Sequence, residues 1–117
     1  MKKVEFKILP KYGDRVVTAN HDKYVLLMYY MSERNDIPTI TRIISELEIV
    51  KSGEKTFEEV FTDIYGTIPI SWIAGEFECD KDNAYFISNN PDNEPSFEMP
   101  LQELINLMQE WKAFLEG

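Results

Sequence analysis

From Lys2 to Leu9 the chain alternates, with Val4, Phe6 and Ile8 on one side and Lys3, Glu5 and Lys7 on the other, the period of a half-buried strand. Pro10 and Gly13 break the pattern, which resumes from Arg15 to Ala19 around Val16 and Val17. Asn20, His21 and Asp22 then offer turn-forming side chains ahead of an unbroken run from Tyr24 to Met31. Eight bulky uncharged residues in a row belong in the core. Their length and their Val and Tyr content predict a strand covered on both faces, although Leu and Met also accept a helix. Three antiparallel strands joined by two hairpins are therefore expected over 2–31.

Beyond the polar 32–36 segment the period changes from two to between three and four. Ile40, Ile43, Ile44, Leu47 and Val50 form one stripe, with Pro38 suited to a first turn and Gly53 to a C-terminal stop, predicting a helix over 38–51. Thr56 and Glu59 have the spacing of a capping box, so a short helix is expected over 57–65, with a strand over 56–62 as the alternative. Thr67 to Cys79 looks extended, but its inward set changes phase. Ile68, Ile70 and Trp72 are even-numbered and Ile73, Phe77 and Cys79 odd-numbered, as a bulge at Gly75 would produce. Asp80 to Asn83 is a turn, Ala84 to Ser88 its partner strand, and Asn89 to Pro95 a polar loop. Pro100 opens a helix to about Glu116 whose stripe holds Leu101, Leu104, Ile105, Met108, Trp111 and Leu115. Leu107 and Phe114 widen it, which means contact with two layers or an apolar margin left for a partner. The expected fold is a single α+β domain over 1–117: an antiparallel sheet of about five strands with two or three helices packed on it.

Charge then narrows the function classes. Twelve basic against 21 acidic residues give a net charge of −9, and the basic residues are scattered singly, which argues against nucleic acid and anionic membranes as partners. An acidic surface instead attracts a basic protein and speeds the encounter. The lone Cys79 forms no internal disulfide, the N-terminus lacks an apolar leader core, and no apolar run spans a bilayer, so a cytoplasmic location is expected.

Candidate chemistry is sparse. His21 suits general-base work but sits in a turn without a nucleophile motif, and Cys79 reads as a buried structural thiol. Asp80 and Asp82 match the first spacings of a calcium loop, yet Tyr85 stands where that loop needs glycine and Pro91 where it needs glutamate. No metal or cofactor is expected. Glu76 and Glu78 lie two apart on a strand and so share one face, directed to solvent. With Asp80 and Asp82, and with Asp92 and Glu94 on the following loop, they form an acidic surface beside Trp72 and Tyr85. Aromatic and charged residues so combined suit docking of a basic protein. The alternatives are a merely solvated face, an accessory subunit, or a small enzyme using His21 or a carboxylate pair.

Two stretches, about a quarter of the chain, carry a resemblance. They are Ile-Ser-Glu-Leu-Glu-Ile-Val-Lys-Ser-Gly-Glu at 44–54 and Pro-Leu-Gln-Glu-Leu-Ile-Asn-Leu-Met-Gln-Glu-Trp-Lys-Ala-Phe-Leu at 100–115. With the small acidic α+β character, the chain resembles immunity proteins of bacterial toxin systems. The resemblance implies a non-enzymatic cytoplasmic inhibitor that occludes a cognate toxin, such as a basic nuclease, and assigns no particular residues.

Overall fold

The N-terminal alternation folds as expected into a hairpin of β1 (Val4–Ile8) and β2 (Arg15–Ala19), with Phe6 opposite Val17 and Val4 and Val17 buried. The computed structural model describes residues 2–61, 68–71 and 74–117. The run that follows β2 is a helix and not a third strand, so a second hairpin does not form. His21, expected in a hairpin turn, accepts a hydrogen bond from the Lys23 amide on its Nδ1 (3.1 Å) and caps a single 3₁₀ turn, Asp22–Tyr24. That turn leads directly into α1 (Val25–Glu33). Leu26, Leu27, Tyr30 and Met31 are buried at helical spacing, while Met28 and Tyr29 are half-buried. The run lacks polar breaks because α1 is wedged against β2, β3 and β5 and has almost no wet side.

The long helix α2 (Ile37–Ser52) begins where Asp36 accepts from the Thr39 amide at 3.0 Å and ends at Gly53, whose φ of 80° closes the helix in the left-handed conformation. Its predicted stripe is buried against α4. Thr56 and Glu59 form the reciprocal capping box of α3 (Phe57–Val60), and Phe57 is buried. The helix ends at its C-cap Phe61, whose amide donates to the Phe57 carbonyl, and residues 62–65 of the helix expected to Tyr65 lie outside the described residues.

The second sheet has the order β3-β4-β5-β6: β3 (Ile68–Ser71), β4 (Gly75–Cys79), β5 (Asn83–Ser88) and β6 (Phe97–Pro100), all antiparallel. Among the described residues six strands in two sheets thus stand in place of the expected single sheet of about five. The phase change at 67–79 is a chain reversal between two paired strands and not a bulge within one continuous strand; the irregularity near Gly75 is a register shift on the partner strand, between Pro69 and Ser71. Ile70 is buried from β3, Phe77 and Cys79 from β4, and the two strands pair with each other. At Gly75 φ is 151°, and a Cβ there would lie 2.1 Å from the Ile87 carbonyl oxygen, so the strand crossing requires glycine. β6 was not anticipated; Pro100 ends it and caps α4 (Leu101–Glu116) rather than occupying a helical position. The buried face of this sheet holds an aromatic cluster: Tyr30 packs on Phe77 (4.8 Å between ring centroids) and on Phe86, which stacks on Phe97.

Among the described residues no hydrogen-bonded ladder joins the two sheets, and Arg34 ties α1 to the four-stranded one. Its guanidinium lies 4.0 Å from the Tyr30 ring centroid and donates to the carbonyls of Tyr30, Pro69 and Ile70. Its own carbonyl accepts from Trp111 Nε1 at 2.9 Å, and the indole packs on Phe6 of β1. One residue therefore links α1, the β3 edge and α4.

Candidate functional site: the open face of the sheet

Burial alternates strictly across β4 and β5. Phe77, Cys79, Ala84 and Phe86 point into the core, so Glu76, Glu78, Tyr85 and Ile87 project from the opposite face. Pairing register arranges this face in rows: Pro69, Glu76 and Ile87 in one, and Glu78, Tyr85 and Glu98 in the next. Direct cross-strand neighbours sit about 5 Å apart at Cβ, and Glu78 and Glu98 flank Tyr85 across two strand spacings of about 4.8 Å each. Glu76 and Glu98 are exposed, Glu78 and Tyr85 half-buried, and Ile87 keeps 41% of its surface in water. None of the three glutamates takes part in the ion pairs formed among the described residues. The result is three uncompensated carboxylates around an aromatic ring and an aliphatic side chain.

Asp80 has a supporting part. Its Oδ1 accepts from the amides of Asp82 and Asn83, both at 2.8 Å, and its Oδ2 accepts from the Tyr85 hydroxyl at 2.7 Å. The hydrogen bonds from Tyr85 and from the turn amides hold the Asp80 carboxyl below the usual carboxylate range. The same bond to Asp80, with partial burial and the nearby Glu98 charge, raises the Tyr85 phenol above its ordinary value. Tyr85 is thus a neutral, oriented ring at any physiological pH. Asp82 is exposed in the turn, and its carbonyl accepts from the Leu101 amide at 2.9 Å, which ties the turn to the start of α4.

Of the residues expected from sequence to form the acidic surface, Glu76, Glu78, Asp80, Asp82 and Tyr85 are brought together. Trp72 lies outside the described residues. Asp92 is exposed on the 89–95 loop, which leaves β5 at the end away from the Asp80–Asn83 turn. Glu94 turns instead toward Tyr29 on α1, raising that phenol together with the larger effect of burial, and lines a shallow depression with Asp22 and Val25. Glu98 was not placed on this surface, because residues 96–99, between the expected loop and the expected helix, were assigned no element. The signal was the alternation of Phe97 and Met99 inward about Glu98.

The residues weighed for catalysis have structural duties. His21 Nδ1 is used in capping, and Cys79 is buried, its thiol pushed up to about 12 first by burial and then by nearby Asp80, Glu58 and Glu78. Among the described residues no cluster of His, Cys, Asp and Glu has the geometry to hold a metal ion, and no helix is long and apolar enough to cross a membrane. No protein-family model, curated protein or solved structure matches the chain.

Proposed function

We propose that this protein is a non-enzymatic binding protein that neutralises a basic protein partner by laying the open face of the four-stranded sheet over it. An immunity protein or inhibitor that occludes a basic toxin, such as a nuclease, is the class this reading favours. The observation that carries it is the face itself, with Glu76, Glu78 and Glu98 unpaired around Tyr85 and Ile87. An aromatic and an aliphatic residue supply desolvated contact, and the surrounding carboxylates select and steer a cationic surface. A sheet held in register by three ladders presents these groups with little backbone ordering cost on binding.

The test is association kinetics with basic toxin domains encoded beside the gene. The on-rate should fall by about tenfold or more as the Debye length shrinks from about 30 Å at 0.01 M to about 8 Å at 0.15 M salt. Replacing Glu76, Glu78 and Glu98 together by Gln should slow association and flatten that dependence. An unchanged on-rate and salt slope in the triple variant would reject this face as the binding site.

A further inference from the structure

The outer edge of β1 is open. Within the hairpin, Asn20 N–H donates to the Lys3 carbonyl and Leu9 N–H to the Asp14 carbonyl, and the register between them is unbroken. The odd-numbered residues of β1 therefore bond to β2, and the N–H and C=O groups of Val4, Phe6 and Ile8 point away from it. Among the described residues no backbone group pairs with them. Beside this edge runs a groove of about 330 Å³ between β1 and α4, lined by Val4, Phe6, Leu107 and Phe114 with Lys2, Glu5 and Glu110 at its margin. Ile8, on the same side of the strand as Val4 and Phe6, is 53% exposed.

We propose that the protein forms a two-fold dimer through β1, two copies adding antiparallel, edge to edge, with Phe6 at the axis. In that register Phe6 faces Phe6 and Val4 faces Ile8 of the second copy. Each of these is a pair whose free groups point at one another and exchange two N–H···O bonds, about six bonds in all. The same register sets Glu5 opposite Lys7 of the second copy, and Lys7 opposite Glu5. Charged residues that would blunt an edge against unrelated strands are here complementary to their own symmetry mates. The exposed Ile8 of each copy falls beside Val4 of the other, at the mouth of the apolar groove, so one operation covers an exposed aliphatic side chain and fills a groove. The contact uses none of the residues of the acidic face and does not depend on the function proposed for it.

Sedimentation and light scattering over a concentration series test this on the full chain. The mass should rise toward twice 13.7 kDa, and the amides of Val4, Phe6 and Ile8 should gain protection from hydrogen exchange as it does. Ile8→Pro removes an outward N–H and leaves the β1–β2 ladder intact, so it should weaken the dimer by about tenfold or more without changing the circular dichroism. Glu5→Lys should weaken it too, and Glu5→Lys combined with Lys7→Glu should restore it. A monomer mass at every concentration overturns the proposal, as does a dimer indifferent to both Ile8→Pro and Glu5→Lys.

Discussion

Trp111 is fixed on two counts. Only 1% of its surface is exposed, its ring lies against Phe6 and Phe114, and its Nε1 donates to the Arg34 carbonyl. Trp111→Ala is expected to cost about 3–5 kcal/mol of stability by removing a large buried ring. Trp111→Phe retains most of the ring but leaves the Arg34 carbonyl without this donor, at about 1–3 kcal/mol. Urea unfolding midpoints check both, and a Trp111→Phe variant as stable as the parent would show that the hydrogen bond contributes nothing. That Trp111 is buried was legible from its place on the α4 stripe. Its polar partner was not, since 77 residues separate the two and no local pattern encodes the encounter. Asp80 makes the same point at the candidate site: its charge was legible, whereas its grip on the Tyr85 hydroxyl depends on a hairpin register that only pairing fixes.

Elements with one wet face were read correctly, because solvent imposes a period on them. β1, β2, α2 and α4 all show it, and the capping box announced α3. α1 was misread because burial on nearly every side erases the period, leaving only length and propensity, and an eight-residue apolar run satisfies strand and helix alike. β6 was missed because it is short and bounded by Pro95 and Pro100, which mark turns as readily as strand ends. At the end of α2 the prediction concerns Gly53. Alanine at its φ of 80° meets only Lys81 Cδ at 3.8 Å, so the loss should be conformational alone, about 1 kcal/mol. A urea titration showing no loss would mean that the helix ends equally well without the left-handed residue.

For the molecule as a whole, two buried groups contribute most to the expected loss of stability in alkali. Tyr30 and Cys79 are each pushed to about 12, chiefly by burial. Both folded values lie above the unfolded ones, near 10 and 8.5, so the folded state binds these protons more tightly. Their contribution is fully present below about pH 8.5 and is lost as pH rises toward 12. Urea midpoints should therefore hold through neutrality and fall above about pH 9, and Cys79→Ala should move the onset up toward the tyrosine range. A flat profile to pH 11 would contradict both assignments.

The bridge made by Arg34 also bears on how fast the fold comes apart. Its bonds to Pro69 and Ile70 and its acceptance from Trp111 close across 35, 36 and 77 residues. Closing contacts so distant in sequence costs loop entropy, so the expectation is that they form late, after the transition state. Arg34→Met, which keeps an apolar stem over Tyr30, should thus hasten unfolding in stopped-flow urea jumps while leaving the refolding limb nearly where it was. On that outcome Arg34 is a latch, closed last and opened first, and the lifetime of the native state depends on its guanidinium as well as on the aromatic core.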